Sequence, residues 1–300
     1  MALSESAIDY ILFALFFVAA LGGITTWLVR TGRGGALLLV AWGVLLVSLV
    51  PGWFLAQAAE TEERDRLAES ISGFAPTYAY EFEQMGHQHI TRETAADDPR
   101  YLRMIERQKA WLKRNRQVHD IYTFRAPLPK DTAPDGRKPN ILIVDSETDY
   151  DGDGTYTSLD HEARTPIGEP WFEESPSLDA AYRGEATFDA QPYTDRWGTW
   201  VSAYVPMYDD AGNLEAVLGV DYDAKAWLGA LARARRLALG ALAVFLITVL
   251  SLITVISVLR ANLANRVRRA EQLSKAKDEA EAATRIKSEF VASVSHEIRT

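Results

Sequence analysis

Three groups of residues in this chain have types and spacings that suit chemistry. The first is His296, followed by Glu297 and, four residues on from the histidine, Thr300. A neutral imidazole nitrogen is a competent nucleophile near neutral pH. An adjacent carboxylate can hold the other ring nitrogen in one tautomer and take up its proton. Residues four apart share a helical face, which places Thr300 beside His296. The second group is D-Y-D-G-D-G-T-Y-T-S-L-D, residues 149–160. Asp149, Asp151 and Asp153 alternate, Gly154 permits a sharp turn, and Asp160 closes the loop. Hard oxygen ligands at that spacing can wrap a Ca²⁺ ion, although a strand rather than a helix precedes the loop and Asp160 is shorter than the usual bidentate Glu. The third group is His87 and His89. Two positions apart, they point to opposite sides of a strand and diverge on a helix, so they read as solvated loop histidines rather than a metal pair.

The last fifteen residues run I-K-S-E-F-V-A-S-V-S-H-E-I-R-T. Phe290, Ala292, Val294, Ser295, His296, Glu297, Ile298, Arg299 and Thr300 resemble the phosphoacceptor helix of sensor histidine kinases, in simple or hybrid form. The resemblance implies that His296 accepts the γ-phosphoryl group of ATP and that Glu297 is the general base. It also implies that Thr300 orients a water in the reverse, phosphatase direction. It further implies a homodimer, a response regulator or receiver domain as partner, and ATP with Mg²⁺ bound by a catalytic domain. No Gly-rich phosphate loop occurs here, so the chain is expected to be the input half of such a kinase, inactive alone.

Composition narrows the rest. The chain has 300 residues and no cysteine, which excludes disulfides and thiolate metal sites. The net charge of −9 is uneven: residues 60–230 carry 33 acidic and 18 basic side chains, while the flanks are basic. So acidic a region does not suit nucleic acid as a partner.

Residues 10–29, 35–55 and 237–259 are uncharged apolar runs, each about long enough to cross roughly 30 Å of hydrocarbon. Arg30 and Arg33 in the loop 30–34, and Arg260, Arg266, Arg268 and Arg269 after the third run, favour the cytoplasmic side. Arg233, Arg235 and Arg236 oppose that bias, but the kinase resemblance decides, because ATP is cytoplasmic. The expected topology is an extracytoplasmic tail 1–9, an extracytoplasmic domain 56–232 and a cytoplasmic carboxyl terminus, in the plasma membrane.

Within 56–232 the first half reads as helix. A charged stretch continues the second span outward until Gly73 and Pro76 interrupt it, and another stretch passes through Tyr78 and Phe82. Asp97-Asp98-Pro99 starts a further helix with Tyr101, Ile105 and Trp111 on its apolar face, ending near Asn115. Strands follow at 120–125, 140–145, 197–208 and 214–221, the last two forming a hairpin around D-D-A-G-N. The segments I-Y-T-F-R, L-I-V-D and W-G-T-W-V-S-A-Y-V-P-M-Y-D-D-A-G-N-L-E-A-V-L-G-V-D resemble the extracytoplasmic PAS-like sensors called Cache domains. That resemblance implies an α+β fold, long helices leading into an antiparallel sheet, with a small extracytoplasmic molecule held between the sheet and its loops. Tyr122, Arg125, Trp197, Trp200, Tyr204 and Asp221 are the candidate ligand residues. The arginine followed closely by Trp-Tyr that marks amino-acid binders of the family is absent after Arg125.

Residues 260–285 are rich in Ala, Glu, Lys and Arg, with Leu273, Ala276, Ala280 and Ala283 at heptad spacing, and lead into 286–300. The stretch is too short for a HAMP relay domain. A parallel coiled coil is expected to join span and phosphoacceptor helix as one rod. The competing reading is a chemoreceptor-like membrane protein that binds a ligand without phosphoryl transfer.

Overall fold

The computed structural model describes residues 5–33, 35–150, 152–157, 161–173 and 175–297. In chain order the elements are α1 (Glu5–Arg30), α2 (Ala36–Gln84), α3 (Pro99–Arg114), β1 (Asp120–Arg125), β2 (Asn140–Asp145) and β3 (Pro170–Trp171). Then come α4 (Pro176–Ala181), β4 (Thr187–Thr194), β5 (Thr199–Tyr208), β6 (Leu214–Asp223) and α5 (Ala224–Glu297). The chain divides into two compact units, Met1–Gln57 with Arg235–Thr300, and Ala58–Ala234.

In the first unit, α1 and parts of α2 and α5 pack through Phe17, Leu21, Leu45, Leu246 and Leu250. Each of the three helices is long and apolar enough to cross a membrane. The faces turned away from this core are equally apolar: Leu39, Leu237 and Val47 are 77%, 75% and 73% exposed. A patch of that kind needs an apolar surround. Polar groups inside the unit are paired. Tyr10 donates its hydroxyl to the Leu49 carbonyl, Trp42 Nε1 donates to Thr25 Oγ1 at 3.1 Å, and Arg235 donates to Asp9 at 2.7 Å.

In the second unit α2 corrects the sequence reading. It passes Gly73 and Pro76 without a break. An interior proline costs about 3 kcal/mol. Here Ile71, Ala75, Tyr78, Ala79 and Phe82 lie three or four apart and all are buried. Burying each large apolar side chain contributes roughly 1.5–3 kcal/mol, so packing outweighs propensity. Helix α3 starts as its D-D-P predicts: Asp98 accepts from the amides of Arg100 (2.7 Å) and Tyr101, with Pro99 in the first turn. Its Trp111 stacks on Tyr78 with ring centroids 4.3 Å apart.

The strands form one antiparallel sheet in the order β3-β2-β1-β6-β5-β4. β1, β2 and the β5–β6 hairpin fall where alternation, a short apolar run and the hairpin turn predict them, with β5 starting two residues later, at Thr199; β3, α4 and β4 are additions. Pro206 sits inside β5, which is unusual for an inner strand. Register explains it: β4 begins at Thr187, opposite Tyr204, so Pro206 lies beyond the reach of β4. One sheet face packs Ile121, Ile143, Ala203, Leu218 and Val220 against α2 and α3. The other carries Tyr122, Phe124, Leu142, Trp171, Tyr204 and Val217.

Candidate functional site: a buried acidic cavity

Three carboxylates converge on the second sheet face. Asp120 opens β1, Asp145 closes β2 and Asp221 lies in β6; they are 5%, 4% and 2% exposed. Register brings them together: Asp120 is directly opposite Asp221, and Tyr122 opposite Asp145. Like charges opposed on neighbouring strands repel.

Hydroxyl groups surround the acids. Tyr122 Oη donates to Asp221 Oδ1 at 2.8 Å, with further bonds to Asp221 from Tyr193 Oη (3.4 Å) and Ser202 Oγ. Asp120 accepts from Tyr150 Oη (3.0 Å), from its neighbour's amide on Ile121 (2.8 Å), from Thr148 Oγ1 (3.3 Å) and from Ser146 Oγ. Asp145 Oδ2 accepts from the amide and hydroxyl of Thr165 at 3.0 and 2.8 Å. Burial pushes the Asp120 carboxyl up to about 6, against the pull of these donors. Burial and then the charge of Asp120 raise Asp145 well above the usual carboxylate range. Burial raises Asp221 in the same way, and the charge of Asp120 adds to it. The proton equilibria of the three are therefore coupled.

The acids and the rings of Tyr122, Trp171, Tyr193 and Trp197 line a small, partly open cavity with about 10 Å³ of free volume, room for about one water molecule. Its rim is the turn at Asp195. Asp195 Oδ1 accepts from the amides of Trp197 (2.9 Å) and Gly198 (3.0 Å) and from Trp200 Nε1 (3.0 Å). A side chain at Gly198 would overlap the Trp200 ring, and one at Gly219 would overlap the Tyr122 ring, so both glycines leave room for an aromatic wall.

Of the residues singled out in the sequence, Tyr122, Trp200, Tyr204 and Asp221 share this face, and Tyr122, Trp197 and Asp221 line the cavity. Arg125 is not brought to them. It pairs with Glu215 and donates to the carbonyls of His87 (3.1 Å) and Ile90 on the helix-covered face. His87 also departs from its reading as a solvated loop residue. It is buried, with Nδ1 3.0 Å from Glu215 and Nε2 2.8 Å from Thr123. Burial raises the Glu215 carboxyl, but the His87 bond and the Arg125 charge prevail and hold it below its usual value. Asp120, Asp145, Tyr193 and Ser202 were missed. The available signal was an aspartate at the end of each apolar strand, D-I-Y-T-F-R and N-I-L-I-V-D.

In the 149–160 loop, Asp149 accepts from the amides of Gly152, Asp153 and Gly154 at 2.8, 3.0 and 2.9 Å. Asp153 accepts from the amide and hydroxyl of Thr155. Asp151 and Asp160 lie outside the described residues, and among those described no cluster of His, Asp or Glu could hold a metal ion. The backbone of α5 is helical through His296 and Glu297; Thr300 lies outside the described residues.

No family model and no curated protein matches the chain. Several solved structures are similar. The sensory domain of the Campylobacter jejuni chemoreceptor Tlp3 (CcmL) is 10% identical, with 59% of this chain and 60% of that one covered and a TM-score of 0.35. The E. coli DcuS sensor domain is 14% identical, with 57% of this chain and 98% of that one covered and a TM-score of 0.35. The periplasmic sensory domain of the C. jejuni chemoreceptor Tlp1 is 12% identical, with 59% and 61% covered and a TM-score of 0.32.

Proposed function

We propose that the chain is the input half of a transmembrane sensor histidine kinase. The domain between the second and third membrane spans lies outside the cytoplasm and binds a small molecule in the acidic cavity. His296, at the cytoplasmic end, receives a phosphoryl group from ATP bound with Mg²⁺ by a catalytic domain, then passes it to an aspartate of a response regulator. Glu297 takes up the imidazole proton, and Thr300 positions water for the reverse reaction.

One observation carries the reading. The strand that holds Asp221 ends at Asp223, and α5 begins at the next residue and continues as one helix to the S-H-E motif. A change at the cavity therefore reaches the start of the signalling helix with no loop between to absorb it. Two copies of residues 260–285 pairing along Leu273, Ala276, Ala280 and Ala283 would make the rod a dimer. The exposure of Leu273 in the single chain supports this.

The test uses the full-length gene product, wild type beside His296→Gln, incubated with γ-labelled ATP. Label that is acid-labile, base-stable and lost in the mutant supports the kinase. Label that persists in the mutant, or never forms in wild type, overturns it in favour of a receptor without phosphoryl transfer.

A further inference from the structure

We infer that the second unit carries a further binding site, beside the first turns of α5, for an amphiphilic anion: one carboxylate or phosphate head on an apolar body. Its occupancy does not depend on the kinase reading or on what fills the acidic cavity.

The site is a partly open cavity of about 240 Å³, room for about eight waters, and every residue lining it lies within Ala58–Ala234. Its floor is apolar and fixed. Ile71, Tyr222, Trp227 and Ala230 are buried, and the Phe188 ring holds Trp227 with centroids 5.2 Å apart. On α5, Ala226, Ala230 and Arg233 are four and three residues apart, so one helix face presents two small side chains and then a guanidinium. The small side chains leave the space, and the floor favours an apolar occupant.

The rim is cationic. Arg116, in the loop between α3 and β1, and Arg233 are exposed, and among the described residues neither side chain forms a hydrogen bond or an ion pair. Glu63, which senses the Arg233 charge, is held by Arg66 at 2.7 Å. The guanidinium of Arg233 lies back along α5, 3.5 Å from where a side chain on Gly229 would start, so the glycine leaves it room. The one acid in the lining, Asp223, is engaged: its Oδ1 accepts from the Ala226 amide at 2.9 Å and caps α5. Residues 60–230 carry 33 acidic and 18 basic side chains, so a cavity edged by two unpaired arginines runs against the composition around it.

The ligand class follows from floor and rim together. A cation is repelled by the arginines, an uncharged body leaves them unused, and an inorganic anion leaves the floor bare. A carboxylate or phosphate on an apolar body meets both demands: its oxygens accept from guanidinium N–H groups, and its body covers Ile71 and Trp227. Ile71 belongs to α2, and Ala226 to Arg233 belong to α5. An occupant therefore ties these two segments together at the head of the helix that runs on to His296. Arg233 stands four residues before the apolar run 237–259, about 6 Å of helix rise, so the anion can come from solution or from a lipid headgroup.

The experiment is calorimetric titration of the full chain in phosphatidylcholine nanodiscs, with the heats from empty discs subtracted. The probes are butanoate, pentanoate and hexanoate, with acetate, hexanol and hexylammonium as comparisons. Saturable heat is expected from the longer acids, with affinity rising about fourfold for each added methylene. Arg116→Gln and Arg233→Gln should each weaken hexanoate about threefold. Ala226→Trp fills the cavity from an exposed position and should abolish binding. All three variants should keep the wild-type melting temperature. No acid binding up to about 10 mM, equal binding of hexanol or hexylammonium, or binding indifferent to both arginine substitutions overturns the inference. Adding phosphatidylglycerol to the discs separates the two sources. Hexanoate binding weakened by it in wild type but not in Arg233→Gln supports a lipid headgroup at the site, and binding unaffected by it supports a free acid.

Discussion

Replacing Asp120 by Asn should flatten the pH dependence of stability of the empty sensor unit. In the folded chain the carboxyl of Asp120 titrates at about 6, against roughly 3.9 in an unfolded chain. The folded state therefore binds the proton more tightly. Stability from this group is fully present below about pH 3.9 and is lost as pH rises through about 6. Two pH units at 1.36 kcal/mol each give about 3 kcal/mol. For a unit of this size that corresponds to roughly 6–12 °C in melting temperature. Asn keeps an oxygen for Ser146 and the Ile121 amide, gives up the one that Tyr150 uses at a cost that does not vary with pH, and carries no charge. The variant also relieves Asp145 and Asp221 of a like-charged neighbour, so their contributions flatten with it. The assay is tryptophan-fluorescence melting of the full chain in nanodiscs between about pH 4.5 and 8. Wild type should gain stability relative to Asp120→Asn as pH falls through 6. A constant difference between the two curves, or a wild type that gains stability as pH rises there, refutes the reasoning.

Three further outcomes are expected. Gly219→Ala should push the Tyr122 ring off Asp221 and cost about 1–3 kcal/mol, read as a lower melting temperature and weaker ligand binding together. His87→Ala should cost a similar 1–3 kcal/mol, by leaving Glu215 and Thr123 short of a buried partner; unchanged melting would make those bonds incidental. Deleting one residue near Ser274 should turn the following helix by about 100° and alter kinase output of the full-length protein, and unaltered output would refute transmission along α5.

Legibility in the sequence followed the range of the interactions. The α3 start was readable because Asp98 caps amides only two and three residues away. The β5–β6 hairpin was readable from its turn and alternation. By contrast, β4 (T-F-D-A-Q-P-Y-T) is half exposed and holds a proline, so neither alternation nor apolar content announces it. The continuity of α2 through Pro76 depends on a core drawn from distant segments. The same holds for the site. Tyr122 and Asp221 could be picked out as types, but the grouping of Asp120, Asp145 and Asp221 needs the strand order β2-β1-β6, which no local window contains. The burial of His87 depends on a contact with Glu215, 128 residues away.

During synthesis, Asp9 leaves the ribosome 226 residues before its partner Arg235. In the proposed orientation Arg233, Arg235 and Arg236 stand on the outer side of the third span, where cations resist translocation. Arg235 is almost wholly buried within its unit, where its charge needs an acceptor. In that orientation the first helix would be inserted earlier, with Asp9 at its outer end to supply one. In biosynthetic terms α1 is a receptor for the last span, and a chain that lacks it should insert that span late or inverted.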